Sequence, residues 1–224
     1  QRVCQGDAAT FFVQASSSEP LSYQWFKDGK MIPGATADTY TITAANLSDT
    51  ARYSVQIRDE CNLIESEAAN LQTIGVPVIS HQPASQIVCQ GTPVTFNVQA
   101  ISDDPLSYQW FKDGVAIPGA TADAYTVQKA IPGDKGSYYV QARNSCGQIE
   151  SETANLDIIA LPEILVQPTS QKVCEGSTAT FTVLAKSAQP LTYQWIKGGR
   201  IIPGANSAEL TIFDANMEDM GEYR

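Results

Sequence analysis

Every landmark of this chain returns after 85 residues, with no gap. Cys4, Cys89 and Cys174 are in register, as are Trp25, Trp110 and Trp195, then Pro33, Pro118 and Pro203, then Tyr53, Tyr138 and Tyr223. A period this long without insertions means one folding unit copied in tandem, each copy large enough to close its own core. A catalytic centre is a single asymmetric constellation, whereas near-copies of one module supply reach, valency or display. The register predicts a first repeat at 1–75 lacking its first strand, a complete second repeat at 76–160, and a third at 161–224 truncated before its last strand. We expect such a piece to be cut from a longer array.

The second repeat can be read end to end. A short strand from Val78 stops at Gln82-Pro83, and Ile87-Val88 form another before Gly91. Val94, Phe96, Val98 and Ala100 alternate with polar residues, the period of a half-buried strand. Leu106, Tyr108 and Trp110 alternate likewise, and Asp113-Gly114 suits a tight hairpin turn. Strands follow around Tyr125 and Val127 and around Val140 and Ala142, and Ile149 to Ile158 reads as one long last strand. No helical period stands out. Seven to eight short strands with turns every ~8–12 residues predict an all-β fold, an antiparallel β-sandwich repeated in tandem.

The residues also carry a resemblance. Tyr23-Gln-Trp25-Phe-Lys-Asp-Gly29, Tyr108-Gln-Trp110-Phe-Lys-Asp-Gly114 and Tyr193-Gln-Trp195-Ile-Lys-Gly-Gly199 each place a Trp before a tight turn. Asp49-Thr-Ala-Arg-Tyr53, Asp134-Lys-Gly-Ser-Tyr138 and Asp219-Met-Gly-Glu-Tyr223 precede the penultimate strand. The set resembles tandem immunoglobulin-like domains over the whole chain. The added Ile-Pro-Gly-Ala-Thr/Asn and Asn-Ser-Cys-Gly elements resemble repeats of large bacterial secreted and cell-surface proteins. In such domains a cysteine pair joins the two sheets; the matching positions here are Val13 with Val55 and Val98 with Val140. Burial around the Trp must then hold each sandwich, at roughly 1.5–3 kcal/mol per large apolar side chain.

The cysteines that do occur are Cys4, Cys89 and Cys174, each just before a glycine, and Cys61 and Cys146, each in the turn before the last strand. Two types in fixed register suggest bridges and an oxidising compartment. The resemblance places Cys4 and the Tyr motif at one pole. Cys61 lies eight residues beyond Tyr53, about 26 Å along an extended strand at ~3.3 Å per residue, and a disulfide needs Cα atoms within about 7 Å. The resemblance thus favours a staple between neighbours, Cys4–Cys146, with Cys89 taking a partner beyond Arg224 and Cys61 one before Gln1. Pairing within repeats (Cys4–Cys61 and Cys89–Cys146) and no bridge at all stay open. No metal site is expected: no CxxC occurs, and His81 is the sole histidine.

Net charge of −10 opposes a nucleic-acid backbone partner. No apolar run approaches the ~18 residues needed to span a bilayer, and no signal peptide is visible, which a cut piece would have lost. One histidine and no repeated Ser/His/Asp pattern argue against an enzyme and against any cofactor. The acid pairs Asp103-Asp104, Asp59-Glu60 and Glu150/Glu152 read as solvated charges. Calcium at Asp103-Asp104 is the lesser alternative, since Ser18-Glu19 and Ala188-Gln189 stand there in the other repeats.

An outer sheet face is the better candidate. With Trp110 inward, Gln109 and Phe111 point out, as do Tyr139, Gln141 and Arg143 on the neighbouring strand; the first repeat offers Gln24, Phe26, Ser54, Gln56 and Arg58. Phe26, Phe111, Tyr139 and Arg143 are therefore candidate contacts for a surface glycan or a protein, the bland alternative being an ordinary arginine-over-aromatic surface pair. The short joints Ile74-Gly-Val-Pro77 and Ile159-Ala-Leu-Pro162 are no flexible tethers and suggest a stiff rod. The sequence therefore predicts an extracellular or cell-surface spacer, adhesion or display array that packs against its neighbouring repeats. The alternative is a carbohydrate-binding or accessory module of a polysaccharide-degrading enzyme.

Overall fold

Alternation builds the sandwiches. In the strand Ala9–Phe12, Ala9 and Phe11 are buried while Thr10 and Phe12 face water, and Val94–Asn97 repeats the pattern with Val94 and Phe96 inside. The computed structural model describes residues 1–224 and is all-β, with helix limited to three one-turn 3₁₀ segments. By internal contacts the chain forms two compact units. One comprises Gln1–Ser85, Thr95–Thr126 and Gly136–Asn155; the other comprises Gln86–Val94, Val127–Lys135 and Leu156–Arg224. The division runs through the second repeat.

In the first unit, one sheet of the first repeat has the order Arg2–Cys4, Ala69–Ile74, Ala51–Arg58, Ser22–Lys27, Lys30–Met31, with Leu63–Glu65 also on Ala51–Arg58. Arg2–Cys4 runs parallel to Ala69–Ile74. The facing sheet pairs Ala9–Phe12 with Thr39–Ile42. Phe11, Trp25, Tyr53, Val55, Ile57 and Leu71 fill the space between. The second repeat's part of this unit repeats the plan: Ser107–Lys112 lies between Val115–Ala116 and Gly136–Asn144, which also carries Gly147–Glu150. Phe96 stacks on Tyr138 at 4.7 Å and tilts against Trp110 at 6.1 Å. Val140 is completely buried and Val98 nearly so, whereas Val13 only partly joins its core.

In the second unit, Gln86–Cys89 runs parallel to the chain from Leu156 to Ile159. The third repeat pairs Ala179–Thr182 with Glu209–Ile212, Glu163–Val166 with Leu184–Lys186, and Ile196–Lys197 with Arg200–Ile201. Phe181 stacks on Tyr223 and tilts against Trp195.

The repeated motifs each meet a backbone demand. Asp28 and Gly29 have φ of 48° and 75°, Asp113 and Gly114 50° and 82°. Two successive left-handed residues are what a two-residue hairpin turn needs. In the third repeat Gly198 takes the first position at φ 53°. The Ile-Pro-Gly-Ala element folds back on the Trp: Ile32 N–H donates to the Trp25 carbonyl and Trp25 N–H to the Ala35 carbonyl. The indole N–H reaches the Ala37 carbonyl at 2.9 Å, so the buried Trp leaves no donor unmet. Tyr53 and Tyr223 hydroxyls donate to the carbonyls of Asp49 and Asp219, the corner expected of this fold.

Two strands differ from the sequence expectation. The long last strand, Ile149 to Ile158, is broken into Gly147–Glu150 and Ala154–Ile159. The Ser151 hydroxyl accepts from Val140 N–H and donates to the Glu152 carbonyl, replacing one rung of the ladder; Ser66 does the same at Val55. The strand from Val94 to Ala100 divides at Val98, whose N–H turns to the Asp123 carbonyl while Gln99–Ile101 moves onto Val78–His81. The three 3₁₀ turns, Leu47–Asp49, Pro132–Asp134 and Met217–Asp219, are single turns and carry no period. Their signal was the Asn46/Asp49 and Asn216/Asp219 spacing, each pair forming a reciprocal cap.

Candidate functional site

The joint between the first two repeats concentrates the chain's unusual side-chain interactions, and it lies within the first compact unit. Ala69–Ile74 ends one repeat and Val78–His81 opens the next, so only Gly75, Val76 and Pro77 separate them. Pro77 is fully buried. The Gly75 carbonyl accepts from the Asn144 side-chain Nδ2 at 2.7 Å, and the same Nδ2 donates to Ser102 Oγ at 3.0 Å. Asn144 Oδ1 accepts from Cys146 N–H at 2.9 Å. This buried amide ties the linker to the Asn144–Gly147 turn with each end of its dipole in use. Gly147 lets the linker approach: a Cβ there would lie 2.7 Å from Val76 Cγ1.

Two further ties flank the amide. Arg2 Nη2 donates to Asp104 Oδ1 at 2.6 Å. Hydrogen bonds from Ser145, then from Arg2, hold the Asp104 carboxyl below the usual carboxylate range. With Arg2 half exposed, the ion pair orients more than it stabilises. Cys4 and Cys146 are joined by a disulfide, Cα atoms 5.3 Å apart.

Cys61, Cys89 and Cys174 are free, exposed thiols. The within-repeat pairings Cys4–Cys61 and Cys89–Cys146 are not formed, since Cys146 is committed to Cys4. Cys4 ends its strand opposite Ile74, at the pole where the chain leaves the first repeat. Cys61 sits in the Asp59–Asn62 turn beyond the far end of Ala51–Arg58. Asp59, in register with Asn144, caps that turn by accepting from Cys61 and Asn62 N–H, and those bonds lower its pKa. In the second unit Cys89 pairs opposite Ile159 and lines a shallow concavity with Pro162, Ser187 and Gln189.

On the outer face, Phe111 and Tyr139 stack with centroids 4.9 Å apart and planes 2° from parallel. Arg143 is not brought to them: it pairs with Ser107, four residues along the strand from the Phe111–Tyr139 pair, about 13 Å at ~3.3 Å per residue. Gln141, between them, bonds Glu150 at 2.8 Å. Gln109 is not an outward contact; its amide donates to the Trp110 and Ile117 carbonyls, as Gln24 does at Trp25 and Ile32. Phe26 faces Ser54, not a second ring. The platform therefore exists in the second repeat and not the first. Asp104 of the Asp103-Asp104 pair is engaged by Arg2, and no group of three or more His, Cys, Asp or Glu side chains is placed to hold a metal ion. No helix is long and apolar enough to cross a membrane.

Asn144, Arg2 and Ser102 are residues that sequence reasoning missed, and Gly75 entered only as part of the short joint. Asn144 did lie inside the Asn-Ser-Cys-Gly element, but Asp59 and Glu60 replace its first two residues in the other copy, and Ile87 replaces Arg2. Ser102 does return in register as Ser17 and Ser187, so its signal was present but unused, whereas register could not expose Asn144 or Arg2.

A family model for the immunoglobulin domain matches residues 76–144 and 162–224. Among characterised proteins, the chain is similar to the muscle M-line assembly protein unc-89 of Caenorhabditis elegans, 29% identical over 252 residues, covering 99% of this chain and 3% of that protein. It is also similar to roundabout homolog 2 of Homo sapiens, 29% identical over 248 residues, covering 99% of this chain and 18% of that protein. The chain spans less than a fifth of the length of either, and both are animal proteins, not bacterial ones. Among solved structures, the I-band fragment I67-I69 from titin superposes with a TM-score of 0.70 at 18% identity, covering 100% of this chain and 88% of that one. At that identity the likeness is one of fold.

Proposed function

The chain belongs to the immunoglobulin domain family, and we propose that it is a non-enzymatic tandem array, with repeats at 1–75, 76–160 and 161–224, that spaces or presents parts of a larger protein and supports adhesion. One observation carries the proposal: the first joint has three linker residues and is fastened by a buried amide, an ion pair and a disulfide. A display tether has no use for such a fastening, whereas a spacer needs its units held in register. The disulfide supports an extracellular or cell-surface setting, where such bonds persist. The Ile-Pro-Gly-Ala and Asn-Ser-Cys-Gly elements attach a bacterial, secreted source to this proposal; the animal relatives support the module alone. Neighbouring repeats and surface proteins are the partners proposed, with no catalytic residue, metal or cofactor.

The test is residual dipolar coupling on the full chain, oxidised and reduced. A stiff spacer gives one alignment tensor for the first repeat and for the part of the second within the same unit. Two tensors of different magnitude in the oxidised chain would refute it.

A second reading rests on the Phe111–Tyr139 stack, a flat aromatic platform of the kind that receives a sugar face. Here the array would be a carbohydrate-binding or accessory module of a polysaccharide-degrading enzyme, with Arg143 and Phe26 outside the platform. Glycan-array binding abolished by Phe111→Ala supports it; no glycan retained by the wild-type chain removes it.

A further inference from the structure

The disulfide changes which residues can bear tension. Cys4 and Cys146 are 142 positions apart in sequence. A pull on the two chain ends enters at Gln1, reaches Cys4, crosses the sulfur–sulfur bond to Cys146 and continues through Gly147 towards Arg224. Everything between the two cysteines hangs on a closed loop. That loop holds Trp25, Tyr53, Trp110 and Tyr138, the centres of the first two cores, and the linker Gly75–Pro77. The strands left on the load path are Arg2–Cys4, Gly147–Glu150, Ala154–Ile159 and those of the third repeat.

We propose that the Cys4–Cys146 bridge is a redox-gated force bypass, which keeps the first repeat and most of the second out of the load path while oxidised and returns them as extensible length when reduced. At ~3.3–3.6 Å per residue, the sequence separation of 142 corresponds to about 470–510 Å of chain. Both sulfurs belong to half-buried residues at the surface of the joint, within reach of a small thiol. One thiolate of a dithiol attacks either sulfur, breaking the S–S bond and forming a mixed disulfide. The reductant's second thiol displaces the protein sulfur. Two protein thiols and one oxidised, cyclic reductant result, a two-electron exchange with protons balanced. The Asn144 amide and the Arg2–Asp104 pair are non-covalent ties separate from the sulfur–sulfur bond, so on this proposal reduction re-routes force without itself parting the repeats.

The gate's use under load rests on the spacer reading, but its existence rests on chain connectivity, and the two can fail separately. The experiment stretches single full-length chains between handles at Gln1 and Arg224. Fully extended, the oxidised chain is expected to fall about 470–510 Å short of the same chain in dithiothreitol. Cys146→Ser is expected to reach the longer length without reductant, and that endpoint does not depend on the variant folding. Equal lengths for the wild type with and without dithiothreitol would overturn the bypass. A length difference accompanied by two alignment tensors keeps the bypass and removes the stiff spacer.

Discussion

Replacing Asn144 by alanine probes the joint without touching its covalent tie. The wild-type amide, itself buried, donates to Gly75 O and Ser102 Oγ and accepts from Cys146 N–H, all three partners being partly buried. A typical hydrogen bond is worth about 0.5–1.5 kcal/mol net, and an orphaned buried partner costs about 1–3 kcal/mol. The truncation strands the Gly75 carbonyl and the Cys146 N–H together, so the turn should be destabilised by about 2–3 kcal/mol. Since 1.4 kcal/mol is tenfold in an equilibrium, the Cys146 amide should exchange with solvent about 30–150 times faster. Amide-resolved hydrogen exchange on the oxidised chain reads this directly. Asn144→Asp is the informative contrast. Asp59 already caps the equivalent turn of the first repeat, so aspartate should keep the Cys146 amide protected while the Gly75 carbonyl loses its donor. Cys146 exchange within threefold of wild type in Asn144→Ala would refute the assignment of the amide as the fastening.

Three further outcomes follow from the packing. Trp110→Ala empties a completely buried ring and removes the indole bond to the Ala122 carbonyl; a loss of about 3–5 kcal/mol is expected, seen as early unfolding of the second repeat by exchange while Trp25 and its core stay protected. Gly136→Ala puts a Cβ 2.6 Å from Asp113 Oδ2, yet Ala51 already occupies that position in the first repeat with Asp28 still bonded to Arg52 N–H; chemical denaturation should show a cost below about 1 kcal/mol. The Lys27–Asp49 pair sets a pH window. Backbone hydrogen bonding from Asn46, and then Lys27, lowers the Asp49 pKa, so its contribution is present above the ordinary carboxylate range and is lost as pH falls through its folded value, below about 4. Burial opposes the Lys27 charge, but its bond to Asp49 and the nearby Tyr53 and Asp49 charges outweigh it and raise its pKa, so its share persists to about pH 10 and fades above. Thermal melts of the first repeat should decline at both limits, and Asp49→Asn should flatten the acid limb.

What the sequence showed, and what it hid, follows from the range of each interaction. Alternation around Phe96 and Trp110 and the Asp-Gly turns are local, so the all-β sandwich class was legible from them. Breaks at Val98 and Ser151 were not, because apolar alternation continues across both while the hydrogen-bond partner changes. The Phe111–Tyr139 stack was suggested by strand register, but Arg143 was grouped with it because a shared face says nothing about distance along the strand. Asn144, Arg2 and Asp104 act between repeats and differ from copy to copy, so periodicity, the strongest signal in the chain, was blind to them.

The Cys4–Cys146 bond connects the first two repeats covalently. Peptide mapping of the full chain under non-reducing conditions tests it most directly. It should yield one cross-linked pair containing Cys4 and Cys146, with Cys61, Cys89 and Cys174 alkylated as free thiols. A linked pair of Cys4 with Cys61, or Cys4 recovered as a free thiol, would contradict the joint and the bypass that depends on it.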